Sequence, residues 1–174
     1  MAELLARALV RDVPDFPKPG ILFKDITPVL EDPKALREVV HLMAEDAKKV
    51  GADVIVGIES RGFLFGVPVA LELDLPFALA RKLGKLPAEK IREEYDLEYG
   101  TNTIEMHADA IQPGQKAYLV DDLLATGGTA AAAARLVKRL GGEVVGYGFL
   151  IELGFLDGRK TLTDAPVEAL LVYP

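Results

Sequence analysis

The sequence predicts an α/β fold: one domain with a single, mainly parallel twisted sheet flanked by helices. Three observations predict it. Short apolar runs rich in β-branched residues, at 53–58, 116–120, 144–151 and 167–172, have the unbroken hydrophobicity of strands covered on both faces. Stretches with apolar residues at helical spacing lie between them, and such alternation with right-handed crossovers gives a parallel sheet. At 174 residues, half of them hydrophobic, the chain suits one domain that buries roughly 70% of its unfolded surface. No repeat of about 20–50 residues and no linker interrupts it.

The elements follow in order. A short helix is expected over about residues 2–10, then the segment VPDFPKPG, whose three prolines and glycine oppose regular structure. Residues 33–50 place Leu36, Val39, Val40, Met43, Ala47 and Val50 on one helical face, with Pro33 suited to the first turn. The strand DVIVGI leads to a helix at 63–73 and a short strand at 77–80. The charged stretch 82–98 shows no clear period and reads as the longest loop. Thr103–Met106 is a short strand, followed by the turn Gln112-Pro113-Gly114-Gln115. The strand KAYLV then runs through a glycine-bearing turn into a helix at 130–140, which Gly141-Gly142 stops. In such sheets ligands bind beyond the carboxyl ends of the strands, so chemistry is expected just after residues 58, 80 and 120.

Charge and composition narrow the function. A net charge of −7 and a pI near 4.9 argue against a nucleic-acid or anionic-membrane surface. Between Arg81 and Arg92, however, RKLGKLPAEKIR sets five cations against one glutamate, which suits either a solvated loop or a small, multiply charged anion. The absence of cysteine excludes disulfides, thiolate catalysis and cysteine-ligated zinc. No apolar run reaches the ~18 residues of a membrane helix, and the N-terminus lacks a signal-peptide pattern, so the cytoplasm is expected. Ser60 is the only serine and Asn102 the only asparagine, a depletion that fits either heat adaptation or a high-GC coding bias. Heat adaptation predicts a calorimetric melting point well above the ~45–65 °C of mesophile domains, and a value inside that range would favour coding bias.

The strongest motif is YLVDDLLATGGT at 118–129. An apolar strand runs into Asp121-Asp122, and the loop Ala125-Thr126-Gly127-Gly128-Thr129 opens a helix. Gly127 and Gly128 carry no Cβ and let backbone approach an anion. The loop N–H groups and the helix N-terminus form a phosphate cradle, to which Thr126 and Thr129 add hydroxyl donors. Two adjacent carboxylates would repel a phosphate but can hold the two hydroxyls of a ribose attached to it. The motif is neither a Walker loop nor a dinucleotide fingerprint. Ser60 precedes Gly62 as in a nucleophile elbow, but Ile58 occupies the first glycine's place, and His41 and His107 are the only histidines.

VDDLLATGGT resembles the phosphoribosyl-pyrophosphate motif of the phosphoribosyltransferases of purine and pyrimidine salvage. DFPKPGILFKDITPVL, ESRGFLFG, RKLGKLP and YDLEYG, in that order along the chain, narrow the resemblance to the adenine phosphoribosyltransferases. It implies transfer of 5-phosphoribosyl from phosphoribosyl pyrophosphate to N9 of adenine, giving AMP and pyrophosphate. Residues Ala125 to Thr129 would bind the 5′-phosphate, and Asp121 with Asp122 the ribose hydroxyls. Ser60 and Arg61 would face the pyrophosphate, beside a non-proline cis peptide at Glu59–Ser60. Arg81 and Lys85 would meet the pyrophosphate too, from the same or a neighbouring subunit. Residues 82–103 would be a flexible catalytic loop carrying Glu98, which handles the purine proton, and Tyr99.

Base recognition would fall to Leu22, Phe23 and Lys24 in an N-terminal hood, residues 1–32. There a backbone N–H and C=O pair with adenine and Phe23 stacks on it, which argues against xanthine, guanine or hypoxanthine. Lys24 stands where many members carry arginine, keeping the charge without the planar fork. Mg²⁺ would be held mainly by substrate oxygens rather than by a protein metal site, and a homodimer is expected. A non-catalytic nucleotide sensor on the same fold is the rival, and the retained Glu98 argues against it.

Overall fold

The computed structural model describes residues 4–97 and 100–174. The chain forms two compact units, Met1–Leu42 and Met43–Pro174. In the first, helix α1 (Leu5–Leu9) precedes an antiparallel hairpin of β1 (Arg11–Pro14) and β2 (Leu22–Asp25), then helix α2 (Thr27–Glu31). The hairpin and α2 were not expected from the sequence, and α1 is shorter than expected. Proline is tolerated here because Pro14 closes a strand of a two-stranded ladder, where its missing N–H costs little. Between the strands Asp15, in the left-handed region at φ 57°, accepts a 2.7 Å hydrogen bond from the Gly20 N–H. Phe16 packs edge-on against Phe23, their ring centres 5.1 Å apart. Asp25 accepts from the Thr27 N–H and hydroxyl and pairs with Arg11, which together hold its carboxyl down at about 2.

Helix α3 (Pro33–Lys49) starts where Asp32 accepts from the N–H groups of Lys34 and Ala35, satisfying two of the free donors of its first turn. Val39, Val40, Met43 and Ala47, four of the six residues expected to share a face, are buried.

In the second unit a seven-stranded sheet has the order β5-β6-β4-β3-β7-β8-β9. Its strands are β3 (Val54–Ile58), β4 (Phe77–Lys82), β5 (Lys90–Leu97), β6 (Gly100–His107), β7 (Lys116–Leu124), β8 (Glu143–Leu153) and β9 (Val167–Tyr173). From β4 to β9 all neighbours run parallel, while β6 joins β4 and β5 antiparallel, so the sheet is mainly parallel, as expected. The central β3 is buried along its whole length. Helices α4 (Gly62–Leu73) and α5 (Gly128–Arg139) follow β3 and β7 directly.

One expectation needs correction: much of the supposed loop 82–98 is strand. Along β5, Ile91, Glu93 and Tyr95 are covered while Lys90, Arg92 and Glu94 are exposed, a two-residue period. The period is hidden in the sequence because an inward position is glutamate. Glu93 is tolerated there because Arg135 and Arg139 of α5 pair with its two oxygens at 2.6 and 3.0 Å. Strand β7 also runs four residues beyond the apolar KAYLV, carrying Asp121 and Asp122 within the sheet.

The spacing Gly62-x-x-x-Gly66 marks close packing of α4. A Cβ on Gly62 would lie 2.5 Å from the carbonyl oxygen of Val120, and one on Gly66 would lie 2.7 Å from the Phe77 ring. Among the described residues no helix is long and apolar enough to cross a membrane.

Candidate active site

The carboxyl ends of β3 and β7 lie side by side in parallel register, with Gly57 opposite Val120. The residues that follow each therefore meet at one edge of the sheet. They border a cavity of about 380 Å³ lined by Glu59, Ser60, Arg61, Lys82, Tyr95, Asn102, Ile104, Asp121, Asp122, Leu123 and Thr129. A recess of about 80 Å³, lined by residues 123–130 with Asp121 and Phe149, shares Asp121, Leu123 and Thr129 with it. Chemistry expected after residues 58 and 120 thus falls at a single place. The peptide between Glu59 and Ser60 is cis.

The two aspartates are electrostatically tense. The Asp122 N–H donates to Asp121 Oδ1 at 2.8 Å, and Arg61 Nε stands 2.7 Å from Asp122 Oδ2. That approach is an ion pair without hydrogen-bond alignment, and the buried Asp122 Oδ2 has no hydrogen-bond partner. Burial, then the neighbouring Asp122 charge, pushes the Asp121 carboxyl well above the usual carboxylate range. Burial raises Asp122 as well, against the pull of Arg61. Such a pair gains most from a ligand that brings hydroxyl donors or positive charge.

The recess is built from backbone. Gly127 takes φ +81°, the left-handed region, and α5 begins at the next residue. A second segment clamps this loop. Thr161 Oγ1 donates to the Thr126 carbonyl at 2.9 Å, and a Cβ on Gly158 would lie 2.3 Å from the Ala125 carbonyl oxygen. Helix α5 aims its first-turn N–H groups and partial positive charge at the recess, a natural seat for a phosphate.

On the other wall, Arg81 grips Glu59 with Nε at 3.2 Å and Nη2 at 3.0 Å, and the Lys82 N–H donates to the same carboxylate at 2.9 Å. Burial opposes ionisation of Glu59, but the Arg81 and Lys82 bonds outweigh it and hold its carboxyl below the usual range. Arg81 therefore lies against Glu59, while the exposed Lys85 stands outside the cavity lining, its carbonyl accepting from Arg81 Nη1 at 3.0 Å. Leu22, Phe23 and Lys24 lie on β2 in the first unit, where the Lys24 ammonium pairs with Asp12 at 2.5 Å. Glu98 and Tyr99 lie outside the described residues. Neither histidine borders the cavity: His41 is on α3, and His107 ends β6 with its ring 2.8 Å from the Pro87 carbonyl.

Sequence reasoning missed Glu59, Lys82, Tyr95 and Asn102 as cavity residues. Glu59 carried a signal, a charge directly after a buried apolar strand. Tyr95 and Asn102 face each other in the β5–β6 ladder and could not be placed while 82–98 was read as a loop.

Comparison with known proteins agrees with this geometry. The phosphoribosyl transferase domain family matches residues 26–164. An adenine phosphoribosyltransferase of Gloeobacter violaceus is 58% identical over 163 residues, covering 94% of this chain and 95% of that one. The crystal structure of an adenine phosphoribosyltransferase from Thermoanaerobacter pseudethanolicus superposes with a TM-score of 0.94 at 50% identity, covering 97% of this chain and 98% of that one. That of Saccharomyces cerevisiae, complexed with D-2,5-dideoxy-2,5-imino-altritol 1,6-bisphosphate and adenine, gives a TM-score of 0.89 at 41% identity, with 95% and 96% covered. With the family matched over residues 26–164 and relatives 50–58% identical over nearly the full length of both chains, the chain belongs to the phosphoribosyltransferase family, among the adenine phosphoribosyltransferases.

Proposed function

We propose that the chain transfers the 5-phosphoribosyl group from phosphoribosyl pyrophosphate to N9 of adenine, giving AMP and pyrophosphate. The observation that carries this reading is the junction of the two cavities: a backbone recess suited to a phosphate opens directly onto the tense Asp121-Asp122 pair. A ribose 5-phosphate spans that junction. The phosphate sits on Ala125 to Thr129, and the 2′- and 3′-hydroxyls donate to the aspartates. Ser60 and Arg61 then border the pyrophosphate, with Lys82 on the same wall. The adenine and the bisphosphate held by the yeast relative support the choice of base and donor.

As pyrophosphate leaves, C1′ gains positive charge. The chain contributes alignment, worth several kcal/mol, and cationic side chains beside the leaving group. Among the described residues no cluster of three acidic or histidine side chains could cage a metal. Asp122 Oδ2 is nevertheless a buried oxygen in the cavity wall that no hydrogen bond satisfies, which fits a cation that would be held mainly by substrate oxygens beside Asp121 and Asp122. Mg²⁺, when bound with the donor, supplies charge neutralisation at the leaving group.

Glu98 takes the imidazole proton of adenine so that N9 can attack, in the catalytic segment 82–103, much of which is β5 and β6. Leu22, Phe23 and Lys24 recognise the base from a hood formed by residues 1–32, and Tyr99 follows Glu98 in the sequence. Arg81 and Lys85 serve the pyrophosphate once Arg81 leaves Glu59, or serve that of a second subunit. A homodimer is supported by Leu64, Val67 and Leu71, a one-sided apolar stripe on α4 that is 46%, 40% and 77% exposed. A cysteine-free chain suits work in the cytoplasm. The test is a panel of adenine, guanine, hypoxanthine and xanthine, each incubated with phosphoribosyl pyrophosphate and Mg²⁺. AMP is the expected product; nucleotide formed only from another base, or from none, would overturn the assignment.

A further inference from the structure

Thr129 stands between the two cavities, lining both the small backbone recess and the larger chamber. Its hydroxyl lies 3.1 Å from the hydroxyl of Tyr95, which borders only the larger one. Tyr95 belongs to β5, opposite Asn102 of β6, and is 9% exposed. Its strand is strapped to the helix that Thr129 opens. Arg135 and Arg139 of α5 pair with Glu93, and Arg139 also donates to the Arg92 carbonyl at 2.7 Å. The strand that carries Tyr95 is thereby fixed to α5.

A threonine hydroxyl has one proton to give and can accept others. Here Thr129 donates that proton to Tyr95. A phosphate in the recess is a far stronger acceptor, so the proton turns to it. Tyr95 then donates to the Thr129 oxygen, and no heavy atom has to move. Each bond in such a chain polarises the next.

We propose that Tyr95 is a positioning residue for the 5′-phosphate: its hydroxyl fixes the Thr129 hydroxyl as a donor aimed into the recess. The proposal rests on the reading of residues 125–129 as the phosphate cradle. It makes no use of the purine or of the pyrophosphate, and that separates it from a general role in stability.

The reverse reaction provides the test, because AMP carries the 5′-phosphate and pyrophosphate does not. Tyr95→Phe should raise KM for AMP about five- to tenfold, the worth of one hydrogen bond, and leave KM for pyrophosphate within about twofold. Thr129→Val should raise KM for AMP at least as much, and Thr129→Ser should restore it. In the double variant Y95F/T129V the tyrosine change should add nothing, because its hydroxyl acts only through Thr129. Calorimetric titration with AMP provides a second measurement that does not depend on turnover. Equal weakening of AMP and pyrophosphate by Y95F, or a full additional effect in the double variant, would overturn the proposal. If T129V weakens AMP but Y95F does not, the phosphate cradle survives and the role of Tyr95 falls. If T129V has no effect on AMP, the cradle reading itself falls and takes the proposal with it.

Discussion

Asp121→Asn/Asp122→Asn should lose turnover by about 10²–10⁴-fold and yet melt no lower than the parent protein at pH 7. The loss follows from two ribose hydroxyls that donate to carboxylates, each such charged hydrogen bond being worth about 1.5–3 kcal/mol. The gain in stability follows from the electrostatics of the two buried carboxyls. Burial raises both carboxyls, and the Asp122 charge raises Asp121 further, so the folded protein binds protons more tightly than the unfolded chain does. A raised carboxyl is cost-free below its unfolded value near 3.9. It destabilises the fold progressively as pH rises through the folded value. The amides carry no such penalty. The advantage of the variant should therefore be largest at neutral and alkaline pH and vanish near pH 4. Arg61 loses the Asp122 charge, but its side chain is 42% exposed and water can replace that pair. Melting curves at several pH values and steady-state kinetics check both halves. Turnover within tenfold of the parent would detach these carboxylates from the ribose.

Glu98→Gln should lower turnover by about 10²–10⁴-fold while donor affinity is retained. Glutamine keeps the size of the side chain and still hydrogen-bonds, but it cannot take the purine proton. The anion is held by other groups, Arg61 and residues 125–129, so ground-state binding of phosphoribosyl pyrophosphate should survive. A rate loss at unchanged affinity marks an interaction made chiefly in the transition state. Single-turnover rates and calorimetric titration of the donor measure the two quantities separately. A rate within about threefold of the parent would mean that another group or solvent carries the proton.

The parts of the fold legible in the sequence were those in which local pattern and global packing agree. The central strands are apolar on both faces because helices cover them, and their β-branched residues mark them as strands. The cradle was legible because glycines and paired aspartates at a strand end have few structural uses. What escaped was decided by distant partners. Strand β5 looks polar because Glu93 is neutralised by two arginines of α5 more than forty residues away. The hairpin of the first unit hid among prolines that tolerate a ladder edge. The clamp from Gly158 and Thr161 lies about thirty residues beyond the loop it holds, with no local pattern to announce it. The motif Gly146-x-Gly148 has a packing explanation that only coordinates supply: a Cβ at either position would lie within 3 Å of the buried Tyr118 side chain.

The close seat of α4 on β7 bears on how tolerance to substitution should be interpreted. Gly62 touches no reacting group in the mechanism, yet any side chain there would press on the Val120 carbonyl and stand 3.1 Å from Asp121 Oδ1. In an exhaustive substitution screen it would score like a chemical residue, with alanine already failing. Its neighbour Arg61 would fail for an electrostatic reason, and the two would be indistinguishable by growth alone. A map of intolerance for this enzyme therefore charts the spacing of its scaffold as much as its chemistry. Position 62 is where that spacing is set by an atom that is missing.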